Sequence, residues 1–380
     1  MVHRELEENI KKRLYKGKVI LILGPRQTGK TTLLKQLFSK ADDILWLNGD
    51  EADIQNVFEN PTSTKLLTYI GNKSTVIIDE AQRIKNIGIA LKLLHDNKPD
   101  LQIVATCSSA FELANEVNEP LTGRKWEFHI FPISFAEMVN YHGIINEKRL
   151  LHHRLIYGYY PEVVTSLSDE KSILHALTDS YLYKDILLWE RIKKPDKLLK
   201  LLQALALQIG NQVSYNELGK IVDLDNQTVE NYIVLLEQCF IIFRLKSLTR
   251  NYRNELKNSR KIYFYDNGIR NSLLANFNQV ELRTDIGALW ENYLIAERQK
   301  FINYQNLFTN IYFWRTKEQK EIDCIEERDG SFYAYEFKWN PNSKFLPSKT
   351  WTDNYPGSIP QVITPANYED FLLDDTKLIK

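Results

Sequence analysis

The chain has 380 residues, of which 43% are hydrophobic and 26% are charged. This is the composition of a soluble globular protein, and it excludes fibrous and largely disordered classes. Lysine plus arginine and aspartate plus glutamate both number 49, so no net charge attracts the whole protein to nucleic acid or membrane. The length favours two or three domains, and function has to be sought in local sites.

The N-terminal sequence opens with charged residues and lacks the apolar core of a signal peptide. The longest apolar stretch, Val19–Leu23, is far shorter than the roughly 20 residues that span a bilayer. We therefore expect a cytoplasmic protein without a membrane partner. The cysteines Cys107, Cys239 and Cys324 are widely separated, which predicts buried free thiols and not a disulfide framework or a zinc site.

Short apolar runs alternate with amphipathic stretches in the first part of the chain. Helical patterns such as Thr31–Phe38 and Ile87–Leu94 lie between the runs, which is typical of an α/β fold with a parallel sheet. We assign residues 1–148 to this domain. The predicted strands are Val19–Leu23, Ile44–Leu47, Val76–Ile78 and Gln102–Thr106.

The middle of the chain is predicted to be mostly helical. Ser214 and Asp225 are typical helix-entry residues, and the order of helices followed by a strand predicts a winged helix. We assign residues 149–250 to a helical lid and winged-helix domain, and residues 251–380 to a third domain. The helical patterns lie at Leu199–Ile209, Glu217–Val222 and Thr228–Gln238, and a β-prone run follows at Cys239–Leu245.

The segment Gly24–Thr31 matches the phosphate-binding pattern G-x-x-x-x-G-K-[ST] in full. It lies between an apolar strand and a helix, the context in which backbone N–H groups surround phosphates. Lys30 would reach the β- and γ-phosphates of ATP, and the Thr31 hydroxyl would bind Mg²⁺. The predicted nucleotide-binding residues are Gly24, Pro25, Arg26, Gln27, Thr28, Gly29, Lys30, Thr31 and Thr32.

Asp79 and Glu80 follow the apolar run Val76–Ile78, at the edge where a parallel sheet presents the carboxyl ends of its strands to ligands. Adjacent acids at a strand end can serve a metal ion and a water molecule. We predict that Asp79 binds Mg²⁺ and that Glu80 activates the attacking water. A solvated acidic strand end is the alternative, and the phosphate loop argues against it.

Two further residues are candidates for the ATP site. Ser108 follows the strand Gln102–Thr106 and would act as a sensor beside the γ-phosphate, although Ser–Ser after a strand is also a common turn. Arg124 is a candidate arginine finger, in cis or on a neighbouring subunit of a homo-oligomer, because a cation stabilises the transition state of phosphoryl transfer. A surface salt bridge is the alternative for Arg124.

These residues belong to a series of motifs that resembles the AAA-type ATPases of bacteria and archaea whose C-terminal domain is of unknown function. The resemblance covers nearly the whole chain and implies an AAA+-like N-terminal fold with a winged helix behind it. Cys107 departs from the family, which usually has glycine before the sensor serines. The motifs in chain order are GPRQTGKTTL, VIIDEAQR, TCSSAFEL, EPLTGR, FPISFAEM and GYYPEVV.

Two alternating strands flank Asp329–Gly330 near the C-terminus, which predicts a β-hairpin. Asp323 falls on the first strand. Glu336 and Lys338 fall on the second strand, where their period-two spacing puts both on one face. Glu291 offers a further carboxylate from a predicted helix upstream.

This arrangement is similar to the PD-(D/E)xK nuclease core and implies a restriction-endonuclease-like α/β fold for the third domain. On that resemblance, Glu291, Asp323 and Glu336 would hold one or two Mg²⁺ ions, and Lys338 would assist water attack on a DNA phosphate. The alternative is an amphipathic hairpin with charges on its exposed face. Related domains can also lose cleavage while they keep the fold.

A run of cations follows the predicted winged helix, with tyrosines interleaved and a single acid, Glu255. Such a cluster can bind DNA phosphates without reading sequence, and a solvated linker is the alternative. Its members are Arg244, Lys246, Arg250, Arg253, Lys257, Arg260 and Lys261, together with Tyr252 and Tyr263.

The sequence thus predicts a Mg²⁺-dependent, ATP-hydrolysing protein coupled to a nuclease-like domain that acts on or senses DNA. The alternative is an ATP-switched module that binds DNA or protein without cleavage. A third possibility is an oligomer whose assembly state is set by ATP.

Overall fold

The structure, a computed structural model, describes residues 1–108, 120–166, 168–187, 194–249 and 260–373, with the backbone alone for 180–187. Its chain divides into two compact units. The first comprises Met1–Pro132 with Gln238–Phe240, and the second comprises Ile133–Glu237 with Ile241–Lys380. The predicted boundaries at 148/149 and 250/251 do not coincide with this division. The strands before and after 250–259 pair with each other in one antiparallel ladder, so a domain boundary there would cut through a sheet.

The sheet of the first unit consists of β1 (Val19–Leu23), β2 (Ile44–Asn48), β3 (Thr75–Asp79), β4 (Gln102–Cys107) and β5 (Lys125–His129). Its strands are parallel and lie in the order β2-β3-β4-β1-β5. β1, β3 and β4 are buried along their whole length, and a strand that is covered on both faces has a continuous apolar sequence. The four predicted strands are confirmed. β5 was not predicted because, at the sheet edge, it carries polar residues in alternation.

Helices connect these strands and cover the sheet. In Ile87–Asn97 the buried Ala90, Leu91 and Leu94 recur at helical spacing, which gives the helix the apolar stripe that packs on the sheet. The helices are α1 (Leu6–Lys11), α2 (Lys30–Leu37), α3 (Ala52–Glu59), α4 (Ser63–Ile70) and α5 (Ile87–Asn97), with a 3₁₀ turn at Ala81–Arg83.

The second unit contains a mixed sheet in the order β12-β11-β10-β9-β7-β8-β6. These strands are β6 (Gln212–Val213), β7 (Ile242–Ser247), β8 (Arg260–Phe264), β9 (Asn310–Arg315), β10 (Glu321–Arg328), β11 (Ser331–Phe337) and β12 (Ile359–Ile363). β10 and β11 form the predicted hairpin. Asp329 and Gly330 both have positive φ, at +47° and +79°, as a tight two-residue turn requires. β7 and β9 pair in parallel and make the sheet continuous.

The helices of the second unit precede and flank this sheet. The hydroxyl of Ser214 accepts a hydrogen bond from the N–H of Glu217, and the carboxylate of Asp225 accepts one from Thr228, so both predicted helix entries are present. The helices are α6 (Phe135–His142), α7 (Ile144–Arg149), α8 (Leu151–Tyr157), α9 (Pro161–Thr165), α10 (Glu170–Leu187), α11 (Pro195–Leu207), α12 (Tyr215–Val222), α13 (Asn226–Gln238), α14 (Asn267–Leu273), α15 (Ile286–Tyr304), α16 (Lys349–Asn354) and α17 (Tyr368–Leu373), with a 3₁₀ turn at Val280–Leu282.

A buried ion pair joins α15 to β10. Arg298 donates to Glu326 over 2.7 Å and to the carbonyl of Phe371 over 2.5 Å, and neither charged side chain is exposed to solvent. A buried charge is tolerated only when its partners are in place, so this pair holds α15 in one position on the sheet. Separately, the three cysteines are buried and form no disulfide, as predicted. Within the described residues, no helix has the length and apolar character that a membrane crossing demands.

Candidate functional site

The phosphate loop connects the end of β1 to the start of α2. Gly24 donates its N–H to the carbonyl of Cys107 over 3.2 Å, and a Cβ atom at Gly24 would overlap the carbonyl oxygen of Ile130. Gly29 has φ +90° at the N-cap of α2, a conformation that favours glycine. Both glycines of the motif are therefore required by the backbone. Cys107 continues β4 to its buried end, so its departure from the family leaves this strand end intact.

Lys30 lies inside the loop and is only 5% exposed. Its Nζ donates to the carbonyl oxygens of Gly24 and Pro25, at 2.8 Å each. Burial lowers the pKa of Lys30, and the nearby acid Glu80 opposes this effect. These two carbonyl oxygens thus hold the ammonium group at the loop, and phosphate oxygens can replace them as acceptors.

Asp79 and Thr31 meet at the carboxyl edge of the sheet. The Thr31 hydroxyl donates to Asp79 Oδ2 over 2.7 Å, and the Thr106 hydroxyl donates to Asp79 Oδ1. A carboxylate and a hydroxyl side by side are the hard oxygen donors that Mg²⁺ prefers. These residues fit a magnesium ion that accompanies a nucleotide.

Glu80 and Ser108 are joined by Gln82, a residue that the sequence analysis missed. Gln82 Nε2 donates to Glu80 Oε2 over 2.5 Å and to Ser108 Oγ over 2.6 Å. Glu80 has a left-handed backbone, with φ +51°, a costly conformation that is concentrated at functional sites. The structure therefore brings the predicted water-activating and sensor residues together. The sequence did not indicate a role for Gln82, because Gln82 reaches Ser108 only when β3 and β4 are neighbours in the sheet.

Arg124 lies where the parallel strands begin, whereas the phosphate loop lies where they end. The carbonyl of Arg124 accepts a hydrogen bond from Val19 at the start of β1, whereas the phosphate loop follows the other end of that strand. The Arg124 guanidinium pairs with Asp96 over 2.8 Å. The structure thus does not bring Arg124 to the phosphate loop of its own chain, and only a finger role on a neighbouring subunit stays a prediction.

The second candidate site is an acidic cluster in the C-terminal part of the chain, formed by α15, β10 and β11. Asp323 Oδ2 accepts a hydrogen bond from the N–H of Phe337 over 2.8 Å, and Lys338 donates to Glu336 over 2.7 Å. The pairing of β10 with β9 shifts register between Ile322 and Ile325, and such bulges re-aim side chains. Asp323 lies within this irregular stretch.

The carboxyl groups of the cluster lie close enough to influence one another. Burial raises the pKa of Asp323 to about 7, and the charge of Glu291 adds to the effect. Burial also raises the pKa of Glu336 to about 7, with a further contribution from Asp323. Of the predicted acids, Asp323 therefore lies within electrostatic range of both Glu291 and Glu336.

The structure adds Lys261, Tyr263 and Glu321 to this cluster. Lys261 is 1% exposed, and its Nζ contacts Glu291 at 2.8 Å and Glu321 at 2.5 Å. The Tyr263 hydroxyl donates to Glu291 over 2.6 Å. Lys261 was predicted to belong to a surface run of cations that contacts DNA phosphates or, alternatively, forms a solvated linker. This prediction is wrong, because the ammonium group is buried against two carboxylates.

The remaining described members of the cationic run are partly neutralised. Arg244 pairs with Glu237, and Arg260 lies 3.4 Å from Glu230. Both guanidinium groups donate to the hydroxyl of Tyr215. Lys246 is exposed. Arg250, Tyr252, Arg253, Glu255 and Lys257 lie outside the described residues.

The fit of the acidic cluster to a divalent cation depends on which carboxylate oxygens lack a partner. Glu336 Oε2 is buried and has no hydrogen-bond partner within the described residues, which is costly unless a cation approaches it. The ligand atoms of Glu291, Asp323 and Glu336 are not gathered within 4.8 Å of one another in the described chain. Lys261 and Tyr263 hold Glu291. Asp323 and Glu336 thus fit a cation better than Glu291 does.

The raised pKa values predict a pH-dependent stability. The ordinary pKa values of 3.8 and 4.5 rise to about 7 in Asp323 and Glu336, so the folded state holds protons that the unfolded chain releases. Their contribution is full below about pH 4 and is lost as the pH rises through 7. Without divalent cations, Asp323→Asn should raise the unfolding temperature at pH 8 by a few degrees, for a gain on the order of 1 kcal/mol, and should leave it unchanged at pH 4.

Thermal melts in EDTA between pH 4 and pH 8 measure this effect. Asp353→Asn, at an exposed aspartate of the same region, serves as the matched control and should follow the wild type. Parallel pH profiles for wild type and Asp323→Asn would contradict the buried, coupled carboxyl pair.

Comparisons with known proteins agree with the ATP site. Family models match three successive parts of the chain: an AAA domain at residues 16–139, a domain of unknown function (DUF8612) at 148–280 and another (DUF4143) at 286–379. An uncharacterized protein of Mycobacterium tuberculosis is 26% identical over 88% of this chain and 73% of its own length. An uncharacterized protein of Haemophilus influenzae is 28% identical over 66% of this chain and 68% of its own length.

A Walker-type ATPase of Pyrococcus abyssi has a similar fold. Its TM-score is 0.51 at 14% identity, over 72% of this chain and 96% of the archaeal chain. The archaeal structure supports the fold. The phosphate loop and the family match identify residues 16–139 as an AAA-type P-loop ATPase domain, which supports ATP binding and hydrolysis. The C-terminal domain is the domain of unknown function DUF4143.

Proposed function

We propose that this protein is a Mg²⁺-dependent ATPase whose turnover controls a C-terminal nuclease-like domain that acts on DNA. The observation that carries the nuclease half is the acidic cluster, in which Asp323 interacts electrostatically with Glu291 and Glu336, and Lys338 donates to Glu336. The ATPase half is supported by the loop geometry and the AAA domain match.

The roles in the ATP site follow from the contacts. Lys30 exchanges its carbonyl partners for the β- and γ-phosphates, which offer it full negative charge. Thr31 and Asp79 would hold Mg²⁺, which would neutralise phosphate charge. Glu80 orients the attacking water and accepts its proton, and Gln82 keeps Glu80 beside Ser108. Ser108 senses the γ-phosphate from the end of β4.

Glu80→Gln should separate binding from hydrolysis. The amide keeps the shape of the side chain and a hydrogen bond to Gln82, but it cannot accept a proton from water. We expect ATP to bind with unchanged affinity and the hydrolysis rate to fall by about a hundredfold or more. Phosphate release and nucleotide titration measure the two quantities.

Glu51→Gln is the control for this variant, because Glu51 is an exposed acid of the same unit. It should hydrolyse ATP at the wild-type rate. Hydrolysis by Glu80→Gln at that same rate would show that another group activates the water.

The nuclease proposal rests on the chemistry of the cluster. Asp323 and Glu336 supply the carboxylates for Mg²⁺, which when bound polarises a phosphate oxygen and lowers the pKa of water. Lys338 is half-exposed beside them and would donate to a phosphate oxygen or orient the attacking water. Glu291 becomes a further ligand only if Lys261 releases it.

DNA contact is supported by the segment around β7 and β8. The chain order here is α11, β6, α12, α13, β7 and β8. β8 lies between β6 and β7 and pairs antiparallel with both, an arrangement that supports a winged helix. Arg244, Lys246 and Arg260 lie on these strands. This segment would bind phosphates without base-specific contacts.

A specific observation favours an ATP-switched binding module as the second candidate. Lys261 already neutralises Glu291 and Glu321, and such internal pairing suits a domain that keeps its fold without cleaving. The deciding experiment incubates the purified protein with supercoiled plasmid and Mg²⁺, with and without ATP. Nicked or linear product supports the nuclease, whereas a stable complex with intact plasmid supports the binding module.

A further inference from the structure

The N-terminal segment, residues 1–15, precedes the stretch that matches the AAA domain model, yet it packs beside the phosphate loop. Leu6 and Ile10 of α1 are buried, and Glu7 accepts a hydrogen bond from Gln36 on α2 over 3.1 Å. Arg4, just before α1, is 6% exposed. A buried arginine at this place needs partners of its own.

Arg4 finds partners on both sides of the loop. One guanidinium nitrogen donates to the carbonyl oxygen of Thr28 over 2.6 Å, and another donates to the carbonyl oxygen of Phe131 over 2.7 Å. Hydrogen bonds from a charged donor are about twice as strong as neutral ones. Thr28 is itself fully buried, and its hydroxyl donates to the carbonyl of Pro25 over 2.7 Å. The loop is thus tied internally and to a fixed cation.

The bond to Thr28 has a consequence for the neighbouring N–H group. The Thr28–Gly29 peptide is trans, so the Thr28 carbonyl and the Gly29 N–H lie in one plane and point in opposite directions. A phosphate loop works by turning its N–H groups toward the phosphates, which turns the attached carbonyls away. Glycine at φ +90° has the freedom to rotate this plane. Arg4 removes that freedom.

We propose that Arg4 is a positioning residue of the nucleotide site: by holding the Thr28 carbonyl, it keeps the Gly29 N–H directed at the phosphates of ATP. The inference deepens the ATPase proposal and rests on nucleotide binding at this loop. Arg4 contributes to the binding of the phosphate groups and not of the nucleoside, because its guanidinium acts through the Thr28–Gly29 peptide.

The test compares the affinities of the full chain for ADP, ATP and adenosine. Adenosine lacks phosphates and is measured by competition with a fluorescent ADP analogue. In Arg4→Met, the dissociation constants for ADP and ATP should rise about tenfold, the loss of one charged hydrogen bond, while that for adenosine changes less than twofold. Arg4→Lys keeps one donor and should fall between Arg4→Met and wild type.

Arg13→Met is the matched control, since Arg13 belongs to the same segment but lies over the ring of Trp126. It should bind all three ligands like the wild type. Equal losses for ADP and adenosine, or wild-type ADP affinity in Arg4→Met, would overturn the proposal. If Arg4→Met does not fold in a thermal melt, Arg4→Lys decides by the same comparison. A wild-type protein that binds no ADP would overturn the nucleotide site itself.

Discussion

Lys30→Ala is expected to abolish ATP hydrolysis, with a fall of at least about a hundredfold, because one buried cation at the transferred phosphate is worth several kcal/mol. The ammonium group is held by the carbonyls of Gly24 and Pro25 at the head of α2. Nothing else in the described loop brings an ammonium group to that place. Phosphate release measures the rate, and titration with ADP and ATP measures the accompanying loss of affinity.

Lys35→Ala provides the control, because Lys35 lies one turn further along α2 and is exposed. The two variants remove the same group from the same helix. If Lys30→Ala hydrolyses ATP at the rate of Lys35→Ala, the phosphate loop is not the site of turnover.

The second large effect is expected at the acidic cluster. If the proposed nuclease function is right, Glu336→Ala and Lys338→Ala should each reduce plasmid cleavage by about a hundredfold or more, because Glu336 would supply a metal ligand and Lys338 would contact the reacting phosphate. ATP hydrolysis should persist in both variants, since neither residue belongs to the phosphate-loop site. Gel analysis of the plasmid and phosphate release from the same samples measure the two activities.

Lys344→Ala is the matched control for Lys338→Ala, since Lys344 is an exposed lysine of the same region. It should cleave like the wild type. Cleavage that survives in Glu336→Ala and Lys338→Ala would exclude the cluster as the nuclease centre. Plasmid that stays intact with every variant, but is bound, would identify the ATP-switched binding module.

The phosphate loop was predictable because its parts are contiguous. Gly24, Gly29, Lys30 and Thr31 act through one short turn, and local backbone geometry places them whatever the rest of the fold does. The same reasoning applies to the β-hairpin around Asp329–Gly330. Its turn sequence determines the pairing of the two strands. The period-two spacing of Glu336 and Lys338 puts their side chains in contact, as expected.

Other parts of the sites depend on contacts between distant segments. Lys261 looked like a surface cation of a linker, but β8 carries it beneath Glu291 on α15. Gln82 contacts Ser108 only because β3 and β4 are neighbours. Arg124 was a candidate arginine finger, but it precedes β5 at the end of the sheet where the strands begin, away from the phosphate loop.

By itself, the sequence determined the AAA-type class of the N-terminal domain, the G-x-x-x-x-G-K-T loop after β1, the acids at the end of β3 and the Glu-x-Lys pair at the end of β11. Each of these depends on spacing along a few residues, which covalent geometry converts directly into a shared face or a shared turn. Only the tertiary structure decided that Arg4 supports the Thr28 carbonyl and that Lys261 completes the acidic cluster. Both contacts join residues from separate elements, and their formation depends on strand order and helix packing, which no local pattern encodes.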